Sequence, residues 1–98
     1  MRFSSPVLIV LLVSQGASAG AVERAPAALA NACAACHGTD GRSEGAIPTI
    51  AGMPAPEFVA KLTAFGAGTE EATVMDRIAR GLSQAEIDGL AGYFARLR

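Results

Sequence analysis

The chain has 98 residues, of which 8 are basic and 9 acidic, so its formal net charge is −1. This balance lacks the excess of positive charge that nucleic-acid-binding domains carry. A chain of this size buries only about 60% of its unfolded surface and usually needs a disulfide or a large cofactor to be robustly stable.

The amino-terminal residues have the pattern of a secretory signal. Arg2 supplies a positive charge, residues 7–13 are a continuous apolar run, and residues 17–19 are Ala-Ser-Ala, a small-residue cleavage pattern. The run is shorter than the roughly 20 apolar residues that cross a bilayer. We therefore expect residues 1–19 to be a signal peptide cleaved near Ala19. Residues 20–98 should form one periplasmic domain without a membrane anchor, beginning with a frayed lead-in over residues 20–25.

The remainder of the chain has helical patterns and no alternation long enough for a strand, which predicts the all-α class. Residues 38–56 are rich in glycine and proline and predict a loop of a length that usually wraps something or carries function. Ser83 and Glu86 form a capping-box pattern ahead of the last helix. The other predicted helices begin at Pro26, run from Glu57 to Phe65, and run more weakly from Thr73 to Arg80.

Both cysteines and the only histidine lie in the sequence CAACH, residues 33–37. A zinc site would need four ligands, typically from two separated pairs. A thioredoxin-type redox pair would need a βαβ context, and a structural disulfide here would close too short a loop to stabilise much. Cys-x-x-Cys-His is the attachment signature of c-type haem. We therefore predict one covalent haem c, with thioethers from Cys33 and Cys36 and iron ligation by His37.

Two methionines of the expected domain are candidates for the sixth iron ligand, since Met/His ligation is common in electron-carrying cytochromes. Met53 lies 16 residues after His37, and Met75 lies 38 residues after it. The longer distance gives the chain room to pass around the ring, which favours Met75 and leaves Met53 as the alternative. Pro48 is a candidate for the backbone carbonyl that orients the His37 ring, the alternative being that it only rigidifies a turn.

The segments CAACHGTDGRS, IPTIAG, FVAKLTAFGAG and TVMDRIARGLSQAEIDGLAGYFARL resemble, in this order, short class I bacterial cytochromes c. The resemblance extends from about Ala27 to Leu97. It implies that Met75 is the axial ligand and that Pro48 orients the histidine. It also implies three to five helices around one haem, with the first and last helices crossing. In that crossing Leu29 and Ala32 should meet residues among Leu90, Tyr93 and Phe94.

Within this family the chain looks most similar to the cytochrome subunit of flavocytochrome c sulfide dehydrogenase. That resemblance implies a redox partner, a flavoprotein that oxidises sulfide to sulfur. With His37 and Met75 on iron, no substrate reaches the metal, so the protein would carry single electrons and would not itself be the catalyst. The alternatives are a free soluble carrier, a haem enzyme or gas sensor with an open sixth site, and a cofactor-free disulfide protein.

Overall fold

The computed structural model describes residues 2–7, 9–11 and 22–97. Within these ranges the chain forms four α-helices and one 3₁₀ turn, with no strand, as the all-α prediction required. The helices are α1 (Pro26–His37), α2 (Ala55–Ala67), α3 (Met75–Arg80) and α4 (Gln84–Ala95), and the 3₁₀ turn is Thr39–Gly41.

The predicted cleavage pattern at residues 17–19 lies outside the described residues. Of the predicted apolar run, residues 7 and 9–11 are described, and they are exposed and not helical. Across the described ranges, none of the helices combines the length and the apolar character needed to span a bilayer.

The first and last helices cross, as predicted, and the hydrophobic core lies largely between them. A Cβ atom added at Gly89 would lie 2.9 Å from Cγ of Pro26, so glycine at this position allows the two backbones to approach closely. Phe94 is completely buried and is the largest side chain at the centre of the core. The buried residues that these two helices contribute together are Leu29, Ala30, Ile87, Leu90, Ala91 and Phe94.

One detail of the predicted crossing is wrong. Ala30, at 6% exposure, lies in the core with Leu29, whereas Ala32 is exposed and lines a cavity. The eleven residues of α1 besides Leu29 are alanines, two cysteines, one proline, one asparagine and one histidine, so the sequence marks no broad apolar stripe. The elements that pack against α1 therefore determine which of its faces is buried.

The capping box predicted at the start of α4 is present. The Ser83 hydroxyl accepts a hydrogen bond from the Glu86 backbone N–H at 3.1 Å, and Oε1 of Glu86 accepts one from the Ser83 N–H at 3.0 Å. Two N–H groups that would otherwise lack partners at the helix start are satisfied reciprocally.

The two middle helices have slightly different ends from those predicted. Helix α2 begins at Ala55, two residues before Glu57, because Pro56 fits the first turn of a helix. It ends at Ala67 and is capped by Gly68, whose φ of 74° is left-handed. Helix α3 begins at Met75 and not at Thr73. Both helices pack against each other, and the ring of Phe58 from α2 lies 5.7 Å from that of Phe94.

The loop between α1 and α2 is held against the core by backbone hydrogen bonds. The carbonyl of Gly41 accepts bonds from the N–H groups of Ile50 and Ala51 at 2.8 and 3.1 Å, and the Gly52 N–H donates to the Phe94 carbonyl at 2.8 Å. Gly41 has φ of 76°, and a Cβ there would lie 2.8 Å from the Phe94 ring. The predicted loop is therefore ordered, and its shape depends on the absence of a side chain at residue 41.

Candidate haem-binding site

A large cavity of about 870 Å³ opens between α1, the following loop, α2 and α3. Its volume lies in the range of about 300–1,000 Å³ that is typical of small-molecule and cofactor sites. The five residues predicted from the sequence as site residues all line it, and so does Met53. The predicted residues on its wall are Cys33, Cys36, His37, Pro48 and Met75.

The walls of this cavity are mainly apolar, which suits a flat hydrophobic ring. They combine buried side chains of α1, α2, α4 and the loop with partly buried or exposed side chains of the loop, of α2 and of α3 with its flanking residues. The apolar residues include Leu29, Ile47, Ile50, Phe58, Leu62, Phe65, Val74, Ile78, Leu82 and Leu90. With two thiols and one imidazole on the same wall, these residues fit a covalently attached porphyrin.

The imidazole of His37 is fixed by the loop that follows α1. His37 is the last residue of the helix, and its Nδ1 lies 2.6 Å from the carbonyl oxygen of Pro48. A carbonyl only accepts, so Nδ1 must carry the proton and donate it. In this tautomer the lone pair is on Nε2, the nitrogen left for a metal ion.

The two cysteines are one helical turn apart and both face the cavity. Cys33 is half-buried, Cys36 is exposed, and no disulfide joins them. Burial raises the pKa of the Cys33 thiol, an effect that its backbone hydrogen bond only partly opposes. A neutral thiol is a poor metal ligand and a slow partner in disulfide exchange, because both reactions require thiolate. Throughout residues 22–97 and the described amino-terminal residues, no three His, Cys, Asp or Glu side chains are grouped as a metal site.

Both candidate methionines are half-buried and lie on the cavity wall. Met53 follows the loop, and its N–H donates to the carbonyl of Ile50 at 3.2 Å. Ile50 is two residues from Pro48, so Met53 belongs to the same loop that holds His37. Met75 comes from a separate element as the first residue of α3.

A residue that the sequence did not point to also lines the cavity. Arg24 lies in the segment predicted to be frayed, yet its Nε donates to Oε2 of Glu86 at 2.9 Å. Hydrogen bonds from Arg24 and from the Ser83 backbone lower the pKa of Glu86 from 4.5 to about 2. The prediction that residues 20–25 are frayed is therefore wrong at Arg24. The two partners are 62 positions apart, and only the capping-box role of Glu86 was visible in the sequence.

The fold and site together define a small haem protein in which the first and last helices cross beside a cavity bearing Cys-x-x-Cys-His. The sequence model of the family described as Cytochrome c matches residues 22–97. The chain belongs to the cytochrome c family, as predicted.

Several curated proteins are similar to this chain. The cytochrome subunit of sulfide dehydrogenase from Chlorobaculum tepidum is 44% identical over 70 residues, which cover 70% of this chain and 63% of that protein. The thiosulfate dehydrogenase electron acceptor of Thiomonas intermedia is 36% identical over 71 residues, or 70% of this chain and 33% of that protein. Cytochrome c-554(547) of Halothiobacillus neapolitanus is 31% identical over 77 residues, or 67% of this chain and 85% of that protein. The match thus spans less than two thirds of the first two relatives.

Membership of this family gives the chain its cofactor. The protein binds haem c covalently, with Cys33 and Cys36 in the attachment motif. The predictions of a c-type haem and of the class I fold are confirmed.

Proposed function

We propose that this chain is the electron-accepting cytochrome of a periplasmic, sulfide-oxidising flavoprotein complex, with His37 and Met75 as the two iron ligands. The bound haem supplies a reversible one-electron couple, and His/Met ligation places its potential toward the high end. The observation that carries the assignment is the imidazole of His37, held in one tautomer by Pro48 on a wall that also bears both thiols.

The positions of the two methionines favour Met75 as the second ligand. Met53 shares its loop with Pro48, which contacts the imidazole. Met75 belongs to α3, which follows a further helix and packs against it. Two ligands on opposite faces of a ring are more readily supplied by two separate elements than by one loop.

The test of ligation compares two matched variants of the holoprotein, Met75→Ala and Met53→Ala. We expect Met75→Ala to lose the sulfur-to-iron charge-transfer band of the oxidised protein and Met53→Ala to keep it. The converse result would identify Met53 as the ligand. An unchanged spectrum in both variants would favour a haem enzyme or gas sensor with an open sixth site.

Two further parts of the proposal, a protein partner and export, are supported by the similar proteins and by the amino-terminal sequence. A flavoprotein partner accords with the similarity to the sulfide dehydrogenase cytochrome subunit. Export accords with the amino-terminal pattern and with bacterial c-type cytochromes being typically periplasmic.

The alternative of a free carrier is favoured by cytochrome c-554(547), of which the match covers 85% and whose name mentions no dehydrogenase. Purification from the native source separates the two. A complex predicts co-elution with a flavin-containing protein in gel filtration and sulfide-dependent reduction of the haem. A lone small red species that sulfide reduces only through added carriers would contradict the subunit assignment. Sequencing of its amino terminus would show whether the chain is cleaved near Ala19.

A further inference from the structure

Arg24 makes four hydrogen bonds to Glu86 and Gly81, residues about 60 positions later in the chain. Its backbone N–H and its Nε both donate to Oε2 of Glu86 at 2.9 Å. Its Nη2 donates to Oε1 of Glu86 at 3.3 Å and to the carbonyl of Gly81 at 2.9 Å. The side chain of Glu86 is 6% exposed and that of Arg24 is 56% exposed, so the carboxylate is inside and the guanidinium covers it.

These contacts fix the connection between α3 and α4, residues 81–83. The carbonyl of Gly81 is held by Arg24, and the N–H of Ser83 is held by the same Glu86 carboxylate at 3.0 Å. One ion pair therefore restrains both ends of the connection. It joins the segment before α1 to the end of α3 and the start of α4.

Helix α3 depends on such restraints because it has only six residues. Helices this short are not stable in isolation. Met75 is its first residue and lies six positions before Gly81, or about 9 Å along a helix. Within its last turn, the N–H groups of Gly81 and Leu82 donate to the carbonyls of Ile78 and Ala79. Towards α2, the side-chain contact is a long one, with Nε of Arg80 lying 3.4 Å from the Gly66 carbonyl.

Arg24, Gly81 and Met75 line the same cavity. The restraint and the methionine therefore belong to one continuous wall, and a shift of α3 at Gly81 would move the methionine within that wall.

We propose that Arg24 is a positioning residue for Met75: by holding the Gly81 carbonyl together with Glu86, it fixes α3 so that the methionine sulfur stays at the iron. The inference rests on the proposed ligation by Met75. Loss of the Arg24 side-chain contacts frees the end of α3 and lets the sulfur leave the iron more often. The effect concerns the sixth iron position and is separate from any effect on the folding of the chain.

The experiment uses oxidised holoprotein and titrates it with imidazole, which competes with the sulfur for the iron. The variant is Arg24→Gln, and the matched control is Arg42→Gln, which changes an exposed arginine that lies 3.8 Å from Asp40 and does not line the cavity. We expect Arg24→Gln to bind imidazole at a concentration about fivefold lower, at the lower end of typical coupling between sites. Its sulfur-to-iron band should weaken, and Arg42→Gln should match the wild type.

Equal imidazole affinity in Arg24→Gln and Arg42→Gln would overturn the inference, even if Arg24→Gln lowers the thermal midpoint. If Arg24→Gln does not accumulate as folded protein, Glu86→Gln replaces it and the same comparison decides. Failure of the ligation proposal has a different signature, because the wild type would then lack the sulfur-to-iron band or Met75→Ala would keep it. A third outcome is that the wild type has the band, that Met75→Ala loses it, and that Arg24→Gln binds imidazole as the wild type does. In that case only the proposed role of Arg24 is wrong.

Discussion

The crossing of α1 and α4 and the wall formed by α3 are stabilised in different ways. In the crossing, Leu90 is 1% exposed and Phe94 fully buried, so side chains fill the interior by themselves. In the wall, Val74 and Ile78 are about half exposed and face an 870 Å³ cavity. Apolar side chains gain stability in proportion to the area removed from water. The crossing has that gain from the polypeptide alone, and the wall obtains it when the haem is in place.

The largest effect is expected from a substitution that disrupts the crossing of α1 and α4 and leaves the wall formed by α3 intact. Phe94→Ala removes the most buried aromatic ring and its contacts with the rings of Phe58 and Tyr93. Truncating a core phenylalanine costs about 3–5 kcal/mol. Denaturant unfolding of the holoprotein measures this loss, with the exposed Arg96→Ala on the same helix end as the control, expected within about 0.5 kcal/mol of wild type.

The absorption spectrum of folded Phe94→Ala should remain that of the wild type, because the ring is not part of the cavity wall. If Phe94→Ala instead lost the spectrum of its axial ligand and little free energy of unfolding, the crossing and the wall would not be stabilised in different ways.

A smaller effect is expected where the loop meets the crossing. In Gly41→Ala the new methyl group would lie 2.8 Å from Phe94 and 2.9 Å from Ile50, at a φ of 76°. Strain and overpacking of this kind cost about 1–3 kcal/mol. Gly45→Ala is the matched control in the same loop, since a Cβ there meets nothing within 4 Å. Equal unfolding midpoints for the two variants would contradict a loop shaped by its contact with Phe94.

The smallest effect concerns the ion pair between Arg24 and Glu86, and it appears only in acid. Hydrogen bonds from Arg24 lower the pKa of Glu86 from 4.5 to about 2 in the folded protein. The resulting stabilisation is present above pH 4.5 and is lost as the pH falls toward about 2, because the carboxylate must then bind a proton. Glu86→Gln should therefore lose less stability than the wild type over this pH interval, as thermal midpoints would record. If the thermal midpoints of Glu86→Gln and of the wild type fell in parallel with pH, the lowered pKa of Glu86 would be contradicted.

The parts of the structure that were predictable from the sequence are those encoded by neighbouring residues. The haem motif occupies five consecutive positions, and the capping box joins Ser83 to Glu86 three residues later. Both depend on local geometry, so their residue types suffice to recognise them.

The parts that were missed depend on contacts between distant positions. Arg24 meets Glu86 62 residues away, and nothing near Arg24 in the sequence indicates it. The burial of Ala30 in place of Ala32 is set by α4, since alanines on both faces of α1 have the same hydrophobicity. The contact of Pro48 with His37 lies between these cases, because it spans 11 residues and the need of the imidazole for a carbonyl acceptor still indicates it in the sequence.

Hydrogen exchange measured by mass spectrometry tests most directly whether the haem supplies the interior of the wall. The comparison is between the holoprotein and the double variant Cys33→Ala and Cys36→Ala, which cannot attach haem. We predict that without attached haem the amides of α3 and of residues 38–54 lose their protection, while those of α4 lose the least. Protection of α3 equal to that in the holoprotein would show that the polypeptide fills this region unaided, which contradicts the account.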